Sequence, residues 1–303
     1  MQIRFDNRVA IVTGAGIGLG RAHALGLAAR GAKVVVNDLG AAADGSGQSV
    51  SAASKVVDEI RAAGGQAIAH GANVAKMDQV EDMVTQAQAE WGHVDILVNN
   101  AGILRDKSFH KMSLADFQTV LDVHLMGSVN TTQALWPHFR DRNYGRIVYT
   151  TSASGLYGNF GQANYGAAKS GMLGLMNVLH QEGSKYDIRV NMLAPTAATR
   201  MTNELLPPET HDLLQPETIT PGLLVLVAED APSKMILGAG AGCFAEIKLF
   251  ETQGVCLTGE ALSAEGVAAE MGRIRDTTGQ REMEGAFDQT RKYIEMAMAA
   301  RKG

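Results

Sequence analysis

Val9-Ala10-Ile11-Val12-Thr13-Gly14-Ala15-Gly16-Ile17-Gly18-Leu19-Gly20 is the stretch on which the fold turns. Val9–Val12 is apolar with no polar alternation, the pattern of a strand buried on both faces. Residues 19–30 read as a helix. Between the two lie glycines at every second position. Glycine lets the backbone turn sharply and approach a pyrophosphate, while the first N–H groups of the following helix point at the phosphates. A glycine-rich run alone is a weak signal. Its place between a strand and a helix makes it specific.

Outward from this loop the chain alternates. Strands are expected at Lys33–Asn37, Ala67–His70, Ile96–Val98, Arg146–Thr150 and Arg189–Leu193, with a last one at Cys243–Phe250. Helices are expected at Ser49–Ala63, Met77–Trp91, Ser113–Arg142, Ala163–Glu182 and Thr218–Ala228. Strands separated by helices pair in parallel. The expected class is therefore α/β, a Rossmann-type doubly wound parallel sheet with helices on both faces. The connection from Asp38 to Ser49 is longer than such units need. After about Phe250 the alternation stops, and Val267–Ile274 and Met283–Ala299 look helical. The expected organisation is a nucleotide-binding domain over 1–250 and a helical C-terminal extension over 251–303.

Composition narrows the function. The 303 residues are 46% hydrophobic and 19% charged, enough for a substantial core. A formal net charge of −5 argues against a nucleic-acid binder held by a basic surface. No apolar run approaches the ~18 residues of a membrane span. Two cysteines make neither a disulfide framework nor a four-sulfur zinc site, and fit a reducing cytoplasm. The histidines show no metal spacing, so no metal is expected.

Asp38 follows the second strand. A carboxylate there accepts hydrogen bonds from adenosine ribose hydroxyls and repels a 2′-phosphate, which favours NAD over NADP. Tyr165 and Lys169 stand at i and i+4, on one face of a helix. An ammonium near a phenol favours phenolate. Bringing a tyrosine from ~10 to near 7 takes about 4 kcal/mol, which Lys169 and a positively charged nicotinamide are expected to supply together. Ser152 follows the fifth expected strand, at the strand end where such sheets bind ligands, with a hydroxyl to donate to a carbonyl.

Together these motifs resemble the short-chain dehydrogenase/reductase family: Thr13–Gly20, Asn99-Asn100-Ala101-Gly102, Ser152, and Tyr165 with Lys169. The resemblance covers roughly residues 5–240. It implies hydride transfer with a nicotinamide cofactor, Tyr165 as acid/base, Lys169 on the nicotinamide ribose and Ser152 on the substrate oxygen. It further implies cofactor contacts from Gly14, Gly16, Ile17, Gly18, Leu19, Gly20 and Asp38. Asn73 and Val74 match the pair beside the adenine, with Asn73 where the family more often has Asp. Asn99, Ala101 and Gly102 would border the cofactor and steady the sheet. Pro195-Thr196 would cover the nicotinamide, in place of the common Pro-Gly.

Residues 34–40, 101–108, 123–128, 152–165 and 199–202 bear a closer resemblance to the dehydrogenase part of peroxisomal multifunctional enzymes of type 2. That likeness implies oxidation of (3R)-hydroxyacyl-CoA to 3-ketoacyl-CoA with NAD. His124 stands where the wider family keeps an asparagine that holds a proton-relay water. Imidazole can shuttle a proton or hold a water; packing against the sheet is the alternative. Leu156, Tyr157, Phe160 and Met201 are expected to form an apolar wall. Arg105, Lys107 and Arg200 are candidates for the phosphates of an acyl-CoA, with solvated surface charge as the other reading. The competing readings are a hydroxysteroid or other hydrophobic-alcohol dehydrogenase, and a nucleotide-sensing scaffold that kept the fold. The resemblance also implies a homodimer or homotetramer, with no nucleic-acid or membrane partner.

Overall fold

The computed structural model describes residues 2–47, 49, 51–198 and 210–301. They form two compact units, Met1–Glu246 and Ile247–Gly303. In the first unit the strands are β1 (Val9–Thr13), β2 (Lys33–Asn37), β3 (Gln66–His70), β4 (Ile96–Asn99), β5 (Gly145–Thr150), β6 (Ile188–Thr196), β7 (Ile236–Gly240) and β8 (Cys243–Ile247). The helices are α1 (Gly18–Ala28), α2 (Ser51–Ala62), α3 (Met77–Trp91), α4 (Leu114–Leu121), α5 (Gly127–Arg142), α6 (Ala153–Tyr157), α7 (Ala163–Gly183) and α8 (Thr220–Leu226).

The sheet order is β3-β2-β1-β4-β5-β6-β7-β8, parallel from β3 through β7. The order reverses between β1 and β4, so a crevice opens beyond the carboxyl ends of these two neighbours. Alternate residues serve the two faces. Ala10, Val12, Val34, Val36, Ile96, Val98 and Val148 pack with Leu27 of α1, Ile60 of α2 and Leu223 of α8. On the other face, the Thr131 hydroxyl of α5 donates to Asn99 (2.6 Å), and Thr132 pairs with the Tyr149 hydroxyl (2.9 Å). At about 25 cal/mol per Å² of apolar surface removed from water, these double-sided strands are the main source of stability.

Three differences from the expected elements have physical causes. β7 escapes a propensity reading because glycine makes up two of its five residues, yet it pairs with β6 from Met192↔Ile236 to Thr196↔Gly240. The expected last strand is two: β8 returns beside β7 through Ala241 (φ 50°) and Gly242 (φ 74°), the left-handed pair that a two-residue hairpin needs. Phe250–Glu251 is a separate strand. The expected long helix is interrupted by a π-helical turn at Asp122–Met126, between α4 and α5. Such turns insert one residue into the ladder and often mark functional sites.

In the second unit, β9 (Phe250–Glu251) pairs antiparallel with β10 (Arg281–Glu282), and α9 (Ala264–Ala269), α10 (Met271–Ile274) and α11 (Ala286–Ala300) provide the helices. The Lys292 ammonium of α11 is buried and held by Glu251 (2.7 Å) and the Thr252 carbonyl (2.5 Å).

Candidate active site

The crevice beyond β1 and β4 holds two clefts. The first encloses ≈ 400 Å³ and is lined by the glycine loop, Asp38, the 39–45 connection, Asn73, Val74, Ala101 and Gly102. The second encloses ≈ 460 Å³ beside Ser152, Tyr165, Lys169, His124, Pro195 and Thr196. Leu19, Asn100 and Gly102 line both, so the clefts run into each other. Both volumes suit small-molecule sites.

The first cleft is shaped by close backbone approaches. A Cβ on Gly14 (φ 62°) would lie 2.8 Å from the Ala101 Cα, and one on Gly20 2.6 Å from the Asn100 amide nitrogen. Asn100 is the clasp: its amide donates to the carbonyls of Thr13 (2.9 Å) and Gly14 (3.0 Å). The N–H groups of Asn100 and Ala101 in turn donate to the Thr13 hydroxyl, both at 3.0 Å. At the start of α1, Ile17 supplies no side-chain cap and the first turn has no acidic residue. The leading N–H groups therefore lack a side-chain acceptor, and a phosphate fits there. Asp38 accepts from Gly16 N–H (2.8 Å) and Gly40 N–H (2.7 Å), one bond to each oxygen. Its remaining lone pairs suit ribose hydroxyls. These features fit a dinucleotide whose phosphates meet α1 and whose adenosine ribose meets Asp38.

In the second cleft, Ser152 caps α6 by accepting from Ser154 N–H (3.2 Å), and it lines the cleft together with Tyr165. Lys169 is buried with its Nζ donating to the Thr150 carbonyl (2.5 Å), 5.5 Å from the centre of the Tyr165 ring. Burial pushes Lys169 down from 10.5 to about 7. Burial also raises the Tyr165 phenol; the Ser152 hydroxyl opposes that rise and the Asp106 carboxylate adds to it. The expected lowering was assigned to Lys169 and a positively charged nicotinamide together, and the chain by itself does not supply it. In this chain desolvation wins, and any lowering needs positive charge from outside it.

His124 lies in the π-helical turn and is buried, its ring edge-on to Tyr165 with centroids 5.1 Å apart. The Ile103 N–H donates to its Nε2 (3.0 Å), and Nδ1 is buried with no partner among the described residues. The carbonyl of Ile103 also lies 2.8 Å from Nε2. One nitrogen cannot both accept and donate; the neutral ring accepting from the N–H satisfies the backbone donor. Burial pushes this imidazole well below its usual 6.5, and the Lys169 charge adds to the effect. An imidazole so depressed is neutral at neutral pH. Gly102 is glycine because a Cβ there would sit 3.0 Å from His124 Nδ1.

Other expectations shift. Asn99 does not line either cleft; it is buried on Thr131, and Asn100 stands at the clefts in its place. Gly16 lines neither cleft but donates to Asp38. Asn73 uses its side-chain amide oxygen Oδ1 to accept from Ala75 N–H (3.0 Å), shaping the turn beneath the first cleft. Of the expected apolar wall, Tyr157 lines the second cleft, Phe160 is 91% exposed and Leu156 is not in the lining. Met201 and Arg200 lie outside the described residues. Arg105 and Lys107 are not free for phosphates: Asp116 takes both, at 3.0 and 3.3 Å.

A family model for short chain dehydrogenases matches residues 8–210. A short-chain type dehydrogenase/reductase of Mycobacterium tuberculosis is 48% identical over 275 residues, which is 90% of this chain and 96% of that protein. Peroxisomal multifunctional enzyme type 2 of Mus musculus is 49% identical over 253 residues, 83% of this chain but 34% of the enzyme. The chain thus spans about a third of that relative's length. The full-length type 2 enzyme from Drosophila melanogaster superposes with a TM-score of 0.82 at 36% identity, over 98% of this chain and 50% of that one. A 7α-hydroxysteroid dehydrogenase complexed with NADH and 7-oxo glycochenodeoxycholic acid superposes with a TM-score of 0.71 at 31% identity, over 79% and 95%.

Proposed function

The chain belongs to the short-chain dehydrogenase/reductases, a family of oxidoreductases, and from that premise we propose that it oxidises (3R)-hydroxyacyl-CoA to 3-ketoacyl-CoA with NAD. The observation that carries the reading is the Ser152–Tyr165–Lys169 group, its lysine buried, lining a cleft continuous with the glycine-loop cleft. Ser152 donates to the substrate oxygen and holds it against Tyr165. Tyr165 takes the hydroxyl proton as the carbon gives up its hydride. NAD, when bound, supplies the two-electron acceptor and the positive ring that favours the phenolate. Lys169 would hold the nicotinamide ribose and, with a pKa near 7, can accept and release a proton at working pH. His124 stays neutral, and its edge contact keeps the Tyr165 ring in place.

Asp38 favours NAD, because a 2′-phosphate would meet a carboxylate whose two oxygens are already tied to the backbone. The acyl-CoA class is supported by the likeness to the type 2 enzymes. A hydroxysteroid is the second reading: Arg105 and Lys107 are both held by Asp116, and a steroid asks for no phosphate contacts. Leu114, Met126 and Val178, exposed on and between α4 and α7, support a homodimer or homotetramer. The two cysteines are free, as a reducing cytoplasm would keep them. No helix among the described residues is long and apolar enough to cross a membrane.

The test is NADH production at saturating NAD with (3R)-hydroxybutyryl-CoA, (3S)-hydroxybutyryl-CoA and a 7α-hydroxy bile acid. Turnover of the (3R) thioester above the other two is expected. Turnover of the bile acid alone would replace the substrate class, and no turnover of any of the three would overturn the reading.

A further inference from the structure

The segment from Ile103 to Lys107 lies between two pieces of chain that line different clefts. On one side is the long connection from β2 to α2. Leu104 N–H donates to the Ala43 carbonyl (2.9 Å), and the Arg105 Nε donates to the Asp44 carbonyl (3.0 Å). Ala42 and Gly45 of this connection line the glycine-loop cleft. On the other side is the loop that leads into α7. The Asn164 amide donates to the Arg105 carbonyl (3.0 Å), Gln162 donates to the Asp106 carboxylate (2.7 Å), and Lys107 N–H donates to the Gly161 carbonyl (2.9 Å). Asn164 also accepts from the N–H of Tyr165 (2.7 Å), and Gln162 lines the second cleft.

We propose that Arg105 is a positioning residue that couples the two clefts, its guanidinium holding the 39–45 connection and its carbonyl holding the residue before Tyr165. The proposal rests on reading the clefts as cofactor and alcohol sites. Arg105 reaches three acceptors at once: Nε to Asp44, and Nη1 to Asp116 (3.0 Å) and Thr119 (3.5 Å). Asp116 is itself fixed by Ser113, whose hydroxyl donates to it (2.8 Å). The guanidinium is thus anchored to α4 and grips the connection from that anchor. A rigid fork suits this; an ammonium offers no fixed second arm. A ligand that touches Ala42 and Gly45 favours the docked connection. Docking fixes residues 103–105, and the fixed Arg105 carbonyl fixes Asn164 beside Tyr165. By reciprocity, a ligand that orders residues 159–165 tightens binding in the first cleft by the same factor. This gives the unusually long connection a use beyond joining β2 to α2.

The test is titration of NADH by fluorescence, alone and with saturating (3R)-hydroxybutyryl-CoA. Both are in the reduced state, so no turnover occurs. In the wild-type protein the thioester is expected to tighten NADH about 5- to 10-fold, within the usual range of coupling. In Arg105→Leu, NADH weakens and the ratio falls to within about twofold of one. Arg105→Lys, which keeps the pairing with Asp116 but loses Asp44, shows the same loss of coupling in a protein of near wild-type stability. Asp116→Asn shows part of it. A wild-type ratio of one, or an unchanged ratio in folded Arg105→Leu and Arg105→Lys, overturns the proposal with the proposed function intact. Wild-type protein that binds no NADH overturns both.

Discussion

Replacing Lys169 by Met is expected to stabilise the nucleotide-free protein while abolishing turnover. Lys169 is 3% exposed, and burial lowers it from 10.5 to about 7. That shift corresponds to about 5 kcal/mol against the charged form in the fold. The sign follows from proton counting. The unfolded lysine holds its proton up to pH 10.5, and the folded one releases it near 7. Between these values the unfolded chain binds more protons, so stability rises with pH. The penalty is whole below pH 7, about 4 kcal/mol at pH 7, about 2 kcal/mol at pH 9, and gone above 10.5. Methionine removes it but leaves the Thr150 carbonyl without its donor, which costs about 1–3 kcal/mol. The net gain is therefore about 1–3 kcal/mol at pH 7 and near zero at pH 9. Urea unfolding followed by the fluorescence of Trp91 and Trp136 measures it, with the same samples assayed for dehydrogenase activity. A Met variant less stable than wild type at pH 7, or an advantage that does not shrink toward pH 9, would refute the reasoning.

Tyr165→Phe should lower kcat by about 10²–10⁴ while NADH fluorescence still titrates; near-normal turnover would remove Tyr165 from the proton step. Asp38→Ser should lower the NAD/NADP ratio of kcat/KM, since repulsion of a 2′-phosphate is relieved, and wild-type preference for NADP would contradict the assignment. His124→Ala should leave the Ile103 N–H unpaired, cost about 1–3 kcal/mol and lower kcat. His124→Asn, which can accept that N–H, should keep more of both. Because burial holds the ring well below 6.5, no ionisation of His124 is expected in the kcat profile near pH 6.5. A wild-type inflection in that range that disappears in His124→Asn would restore the titrating relay.

What was legible in the chain before folding was local. Val9–Val12, Lys33–Asn37 and Met77–Trp91 follow from unbroken apolar runs and helical spacing, because those patterns act over a few neighbours. The glycine loop and the i, i+4 spacing of Tyr165 and Lys169 are local too, and so was the expectation of a strand-end Asp38. The tertiary structure decided what depends on long-range partners. Asn99 and Asn100 are chemically identical, but β-sheet alternation sends Asn99 to Thr131 and leaves Asn100 to clasp Thr13 and Gly14. Arg105 and Lys107 read as free cations until α4 brings Asp116 against both. β7 has two glycines and no signal of its own; pairing with β6 makes it a strand. The directions of the Tyr165 and Lys169 shifts also belong to the fold. Spacing puts an ammonium near a phenol, but how far both are removed from water is set by the elements packed around them, and here desolvation is the largest cause of both shifts.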